Sequence, residues 1–278
     1  MKQDIYISVT DKCDLACSFC SAAKEMEHRS RPIAEVEASL EQLKATAELG
    51  VVTWGGGEPL LAPVRLERLL GHVKTLWPES KHRLVTNGTH LSKQSLELLN
   101  QFDSFVIGVD GAHRSERPLV NFLMRGDYAF FELLPDLRGH LSFRQVIVRS
   151  QLTTPEWWVD IAHLHSMLSD VPRAQIDMRI TLDCYQTTPL TKWETDNFIE
   201  GFRNLSRVSC TPTLRLDKFF VDHFCDCGSV LASSHVGNVA APGAFAQQLP
   251  YGCALLTSSI GKEAYHRISS EFKGVPRG

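Results

Sequence analysis

The alternation of short apolar runs with amphipathic segments constrains the fold of this chain more than any other feature of the sequence. Each amphipathic segment repeats apolar residues at helical spacing; Val36, Leu40, Leu43 and Ala47, for example, share one face. Six strand-and-helix pairs in succession predict a parallel sheet with right-handed crossovers. The strand-like runs are IYISV (5–9), VVTW (51–54), RLVTN (83–87), SFVIGVD (104–110), RQVIVRS (144–150) and IDMRITL (176–182).

Capping residues mark where three of the helices are expected to begin. Ser92 and Thr191 are predicted N-caps, and Thr154 followed by Pro155 predicts a helix that starts at the proline. Another helical pattern runs from Leu66 to Trp77. The predicted fold class is α/β, with the six units forming a partial (β/α)6 barrel that is open rather than closed.

The alternation stops at about residue 207, where short apolar pieces, glycines and cysteines follow. We therefore predict two regions, a partial barrel over residues 1–187 and a small cysteine-containing appendage over 188–278. The cysteines of this second region are Cys210, Cys225, Cys227 and Cys253.

Composition narrows the possible partners and the compartment. The net charge of −3 gives no general attraction to nucleic acid or to a membrane surface, and the first ten residues lack the apolar run of a signal peptide. These features predict a soluble cytoplasmic protein that binds neither nucleic acid nor membrane. In that compartment eight cysteines favour metal or redox chemistry over a disulfide framework.

Polar and thiol residues follow every predicted strand, at the end of a parallel barrel where active sites lie. The first strand is followed by three cysteines in the spacing C-x3-C-x2-C, and the second by the segment GGGEPLL (55–61). The residues at or just after the ends of the six strands are, in turn, Cys13, Cys17 and Cys20, then Gly56, Gly57 and Glu58, then Asn87, then Asp110, then Arg149 and Ser150, and then Cys184.

The three closely spaced cysteines are suited to a cubic iron–sulfur cluster. A 4Fe–4S cluster has four irons, so three thiolates leave one iron with an open position. The alternative is a zinc site completed by a distant residue such as His28. The glycine–glutamate segment one strand later favours the cluster.

Four segments together resemble the radical S-adenosylmethionine (radical SAM) enzymes. They are CDLACSFC, GGGEPLL, VTNGTHL and VIGVDG, within residues 4–185. The resemblance implies a partial (β/α)6 barrel in which SAM binds the open iron of the 4Fe–4S cluster through its amino and carboxylate groups. It also implies that the reduced cluster cleaves SAM to methionine and a 5′-deoxyadenosyl radical, which removes hydrogen from a substrate. An electron donor such as flavodoxin or ferredoxin is then required.

The same resemblance assigns roles to individual residues. Cys13, Cys17 and Cys20 would ligate the cluster, and Phe19 would contact adenine or shield the cluster. Gly56 and Gly57 would let the backbone approach the methionine part of SAM, and Glu58 would accept a hydrogen bond from its ammonium group. Thr86 and Asn87 would approach SAM, Asp110 the ribose or the substrate, and Arg149 or Ser150 the carboxylate. Gly55 and Gly108 depart from the family pattern, which often has a hydroxyl residue at each position.

The C-terminal cysteines resemble the auxiliary-cluster regions, called SPASM or twitch, that many radical SAM enzymes carry. We expect a twitch-like arrangement in which Cys210, Cys225, Cys227 and Cys253 ligate a second 4Fe–4S cluster. The alternatives are that they are buried apolar residues, or that one thiol gives a hydrogen atom to a substrate radical; Cys184 is the candidate for that role.

Three functions are compatible with the sequence. The first is modification of a ribosomally made peptide by crosslinking, epimerisation or thioether formation. The second is dehydrogenation or another radical reaction of a small metabolite such as an aminocyclitol, sugar or amino acid. The third is a non-catalytic iron–sulfur or zinc scaffold. The first strand begins at about residue 4, so we expect no fused peptide-recognition domain before the barrel.

Overall fold

Over the residues that it describes, the computed structural model forms one sheet in which the first seven strands lie side by side in chain order. It describes residues 2–15, 17, 30–109, 133–147, 149–159, 161–162, 176–182, 191–208, 214–216 and 239–240. The first seven strands pair parallel in the order 7-6-5-4-3-2-1, and the eighth pairs antiparallel with the first. The strands are β1 (Gln3–Thr10), β2 (Leu49–Gly56), β3 (Lys81–Thr86), β4 (Ser104–Gly108), β5 (His140–Ile147), β6 (Ile176–Leu182), β7 (Leu214–Leu216) and β8 (Val239–Ala240).

This strand order confirms the predicted α/β architecture. A parallel sheet wound in one direction carries its crossover helices on one face and curls towards a barrel. All six predicted strands are present, but the fifth runs over His140–Ile147 instead of 144–150, and Arg149 and Ser150 begin a 3-10 turn. The short strands β7 and β8 were not predicted; both come from the region expected to form the appendage, whose boundary at residue 188 stays a prediction.

The helices pack on one face of the sheet. They are α1 (Ile33–Lys44), α2 (Pro63–Leu76), α3 (Leu96–Leu99), helical residues at 157–159 and 161–162, and α4 (Lys192–Val208). Alternate strand residues such as Ile7 and Trp54 are fully buried in one core cluster with Leu40 and Leu66 of the helices. Each such side chain contributes about 1.5–3 kcal/mol by leaving water.

Two predicted helix patterns run past the observed helix ends, one by three residues and the other by one. Helix α1 ends at Lys44 and α2 at Leu76, so Ala47 and Trp77 follow the helices rather than belong to them. Both residues are nevertheless buried, and the indole of Trp77 donates to the Ala47 carbonyl at 2.9 Å. Their burial continues the apolar pattern past the end of each helix.

The predicted caps have different outcomes. Thr191 caps α4: its hydroxyl accepts from the Glu194 N–H at 3.2 Å, and the Glu194 carboxylate accepts from the Thr191 N–H at 2.7 Å. Ser92 caps a 3-10 turn that leads into α3. The cap at Thr154 is wrong, because its hydroxyl bonds back to the Gln151 carbonyl and helical residues begin only at 157.

The opposite face of the sheet, which we call the inner face, is mixed and carries polar side chains as well as Val85 of β3 and Val106 of β4. On β1 it carries Tyr6 and Ser8, which alternate with the buried apolar residues of the helix-packed face. Strand pairing places Ser8 beside Gly55 of β2. Further along the sheet, Ser142 and Arg144 lie on the same face of β5, and Phe143 between them is buried against the core. The inner face is therefore the face available to polar ligands.

Candidate active site

The segments that follow β1 and β2 are joined through their main chains. The Gly57 N–H donates to the Thr10 carbonyl at 2.6 Å, and the Glu58 N–H donates to the Lys12 carbonyl at 2.8 Å. These bonds hold the glycine–glutamate segment against the backbone that leads directly into Cys13. The position of the first cysteine is therefore set by the segment that follows the next strand.

The two glycines are required by this close approach. A Cβ at Gly57 would lie 2.6 Å from the Lys12 carbonyl carbon and would collide with its oxygen. Gly56 has a φ of 113°, a conformation that residues with a side chain rarely adopt. The sequence predicts that these glycines admit SAM; in the structure they admit the cysteine loop, and their approach to SAM stays a prediction.

Glu58 is a fully buried carboxylate at the centre of this arrangement. One oxygen accepts from the Thr86 hydroxyl at 2.8 Å and the Leu60 N–H at 3.1 Å, and the other accepts from the Asn87 N–H at 2.7 Å. Burial raises the pKa of Glu58, and these hydrogen bonds only partly oppose that effect. Glu58 thus ties the end of β2 to the end of β3, a positioning role that the sequence does not predict.

The cysteine loop is also attached to the segment after β3. The Asn87 side-chain amide donates to Asp14 at 2.9 Å and lies 3.8 Å from the Cys13 sulfur. His90 lies 3.2 Å from the other oxygen of Asp14. Partial burial acts to raise the pKa of Asp14, but hydrogen bonds from Thr89 and Asn87 outweigh it and lower that pKa.

The described thiols fit an iron–sulfur ligand role. Cys13 is exposed, and its sulfur accepts from the Leu15 N–H at 3.5 Å, an interaction typical of thiolate ligands; Cys17 is buried a few residues further on. Cys20 lies outside the described residues. Within the described part of the chain no three side chains of His, Cys, Asp or Glu form a metal site.

Tyr6 explains why residue 55 is a glycine. The Tyr6 hydroxyl accepts from the Gly56 N–H at 2.7 Å, and a Cβ at Gly55 would collide with that hydroxyl. A phenol from β1 therefore occupies the space where the family pattern often has a hydroxyl side chain on β2. The signal for this pair was present in the sequence, since Tyr6 and Gly55 fall on the same face of adjacent parallel strands.

Ser8 is a second residue that sequence reasoning missed. Its side chain is 1 % exposed, and its hydroxyl has no hydrogen-bond partner among the described residues. Buried hydroxyls are usually bonded, so an orphan one on the inner face beside Gly56 fits a polar ligand bound at that point.

The remaining predicted residues are placed only in part. Arg149 and Ser150 begin the 3-10 turn Arg149–Thr153, directly after β5. The other predicted residues lie outside the described residues, so their roles stay predictions. They are Phe19, Asp110, Cys184, Cys210, Cys225, Cys227 and Cys253. No helix among the described residues has the length and apolar character that crossing a membrane requires.

The chain is similar to radical SAM proteins in sequence. Residues 7–134 match the model of the radical SAM superfamily. A GTP 3′,8-cyclase from Mycolicibacterium smegmatis is 31 % identical over 118 residues, which are 40 % of this chain and 32 % of the relative. One from Streptomyces coelicolor is 31 % identical over 99 residues, 34 % of this chain and 29 % of the relative. The matches thus span about a third of the length of these relatives.

The fold agrees with this assignment. Native anSMEcpe with bound AdoMet superposes with a TM-score of 0.53 at 15 % identity, over 73 % of this chain and 58 % of that one. SuiB of Streptococcus suis bound to S-adenosylmethionine gives 0.50 at 18 % identity, over 74 % of this chain and 46 % of that one. Residues 7–134 therefore match a radical SAM domain in sequence, and the fold of the described residues agrees with that match.

Proposed function

We propose that this chain cleaves S-adenosylmethionine reductively and uses the product radical to remove hydrogen from a substrate. Cys13, Cys17 and Cys20 would hold a 4Fe–4S cluster, which with bound SAM supplies one electron and yields methionine and a 5′-deoxyadenosyl radical. The observation that carries the proposal is the attachment of the cysteine loop to Gly57 and Glu58 through two main-chain hydrogen bonds.

The residues of the chain have separable tasks in this proposal. The glycine pair and Glu58 hold the cysteine loop at a fixed distance from β2 and β3. Ser8 offers a hydroxyl to SAM from the inner face, because that hydroxyl has no partner among the described residues. Phe19, Thr86, Asn87, Asp110, Arg149 and Ser150 stay proposed SAM contacts.

A ribosomally made peptide is one candidate substrate. Its support is likeness of fold: anSMEcpe, which has also been solved with a bound Cp18Cys peptide, superposes in that complex with a TM-score of 0.50 at 16 % identity. A leader-recognition function would then come from another protein or another part of the polypeptide.

A small anionic metabolite is the other candidate, and it has support from sequence. The relatives at about 30 % identity are named for GTP, a phosphorylated small molecule. The matched segment is the radical SAM domain itself, so it does not decide the substrate.

Three further assignments belong to the proposal. A flavodoxin or ferredoxin would supply electrons, and the reaction would take place in the cytoplasm without nucleic acid or membrane. Cys210, Cys225, Cys227 and Cys253 would ligate a second 4Fe–4S cluster, and Cys184 is the candidate hydrogen-atom donor.

The decisive experiment is anaerobic reconstitution with iron and sulfide, followed by dithionite and SAM. We expect 5′-deoxyadenosine from the wild type and none from Cys17→Ala. Ser39→Ala on α1 serves as the control and should behave as the wild type. A wild type that binds iron but forms no 5′-deoxyadenosine would instead favour the scaffold alternative.

A further inference from the structure

The side chain of Asn87 lies where the segment after β3 meets the cysteine loop. Asn87 is buried, and its amide oxygen accepts from the Thr89 N–H at 2.9 Å. Because an N–H donates to that atom, it is the oxygen of the amide, and the nitrogen points the other way. The nitrogen lies 2.9 Å from an oxygen of Asp14 and 3.8 Å from the sulfur of Cys13.

Cys13 and Asp14 form a contact whose sign depends on the charge of the sulfur. The Cys13 sulfur lies 4.0 Å from the nearer Asp14 oxygen, a distance at which a thiol donates weakly to a carboxylate. A cysteine that ligates a metal is a thiolate and has no hydrogen to donate. Both groups are then anions, and like charges at this separation repel each other unless a donor lies between them.

The amide nitrogen of Asn87 supplies such a donor. It carries two hydrogens, so one can go to the Asp14 carboxylate and the other to the Cys13 sulfur. Donation to a thiolate is charge-assisted and therefore stronger than donation to a neutral thiol. His90 approaches the other oxygen of Asp14, at 3.2 Å, and adds to the groups that offset the carboxylate charge.

These bonds use the donors and the acceptor of the Asn87 side chain. The oxygen is taken by Thr89, and the two hydrogens are directed at Asp14 and Cys13. A contact from Asn87 to SAM would therefore come from its main chain, and the side chain serves the cysteine loop.

We propose that the Asn87 side-chain amide donates to both the Cys13 thiolate and the Asp14 carboxylate, and that it thereby raises the reduction potential of the cluster that Cys13 would ligate. Hydrogen bonds to the sulfurs and nearby charge set the reduction potential of iron–sulfur clusters. A donor favours the reduced cluster, which is more negative, whereas the Asp14 carboxylate favours the oxidised one. The inference rests on the proposed function for the presence of the cluster, and it deepens that function by naming residues that set how readily the cluster accepts an electron.

The test is a spectroelectrochemical titration of the anaerobically reconstituted full chain without SAM. Asn87→Ala removes the donor, and we expect the equilibrium constant for reduction of the cluster to fall about tenfold, which is about 59 mV for a one-electron couple. Asp14→Asn removes the charge and keeps an oxygen that accepts from Asn87, so the same constant should rise by a similar factor. A role in loop attachment alone predicts no such opposite shifts.

Asn100→Ala is the matched control. The Asn100 side chain also joins two segments, since it donates to the Asp136 carbonyl at 3.1 Å and accepts from the Arg138 N–H at 2.9 Å. It precedes β4, at the end of the parallel sheet opposite to Asn87. Its cluster should therefore have the wild-type potential.

A double variant covers the case in which Asn87→Ala holds too little iron to titrate. Adding Asp14→Asn to Asn87→Ala removes the second anion, so iron and sulfide per chain should recover to the Asp14→Asn level. If Asn87 only attaches the loop, no recovery is expected, because Asp14→Asn restores none of the hydrogen bonds that Asn87→Ala removes.

Two outcomes would overturn the inference. The first is a cluster potential that is the same in the wild type, Asn87→Ala and Asp14→Asn, or that shifts in the same direction in both variants. The second is an iron-poor Asn87→Ala whose iron content the double variant does not restore. Assaying 5′-deoxyadenosine on the same samples separates the two proposals. A wild type that cleaves SAM while the three potentials agree refutes only the inference, and opposite shifts in a protein that does not cleave SAM refute only the proposed function.

Discussion

Gly57→Ala tests whether the glycine–glutamate segment positions the cysteine loop. The new methyl group would lie 2.6 Å from the Lys12 carbonyl carbon, whereas carbon atoms in contact are about 3.5–4.0 Å apart. The obstacle is backbone, so the two segments must separate by about 1 Å. The hydrogen bonds from the Gly57 and Glu58 amides, at 2.6 and 2.8 Å, would then be broken or weakened. At about 1 kcal/mol each, their loss costs about 2 kcal/mol.

The assay for Gly57→Ala measures both stability and iron. We expect urea unfolding to show a free energy of unfolding that is lower by that amount. We also expect the iron and sulfide content per chain after anaerobic reconstitution to be well below that of the wild type, because Cys13 follows the displaced Lys12 carbonyl. Gly71→Ala in α2 is the control: nothing lies within 4 Å of its new Cβ, and it should raise stability by about 0.5–1 kcal/mol without changing iron content. Wild-type iron content in Gly57→Ala would refute the positioning argument.

Three other predictions concern strands β2 and β3 and the residues that contact them. Glu58→Gln sets an amide N–H against the Asn87 main-chain N–H, so the free energy of unfolding in urea should fall by about 1–3 kcal/mol. An unchanged free energy of unfolding would mean that the Glu58 carboxylate is protonated in the folded protein. Burial lowers the pKa of His82 from 6.5 to about 4, so the neutral imidazole stabilises the fold fully above pH 6.5. The free energy of unfolding should fall by about 3 kcal/mol as the pH falls from 6.5 towards 4. His82→Gln should make the free energy of unfolding less dependent on pH over this range, and the same pH dependence in the variant and the wild type would contradict the prediction. Gly55→Ala should destabilise the wild type more than it destabilises the Tyr6→Ala variant, because the new Cβ collides with the Tyr6 hydroxyl. Thermal unfolding of the wild type, the two single variants and the double variant measures this difference, and additive changes in stability would contradict it.

The strands were predictable because their apolar residues are local and regular. The runs around Ile7, Val52 and Phe105 each identify a strand without reference to the rest of the chain. Strands β7 and β8 were missed because three and two residues are too short for a pattern. The helix predictions ran past Lys44 because Ala47 is buried by tertiary packing after the helix has ended.

The site was predictable in its members but not in its contacts. Cysteine spacing and the glycine–glutamate segment identify the same loops that the structure brings together. The collision at Gly57 depends on the carbonyl of Lys12, and the hydrogen bonds of Glu58 depend on Thr86 and Asn87. Such approaches join residues distant in sequence, and a single sequence carries no pattern for them.

The pairing of β8 with β1 has a consequence for synthesis of the chain. Tyr6 and Ile7 pair with Ala240 and Val239, so the free edge of the first strand gains its second neighbour only after residue 240 has left the ribosome. Until then β1 offers unpaired main-chain groups beside the cysteine loop, and exposed strand edges favour association between chains. Prematurely terminated polypeptides should therefore aggregate through the strand that precedes the cysteine loop.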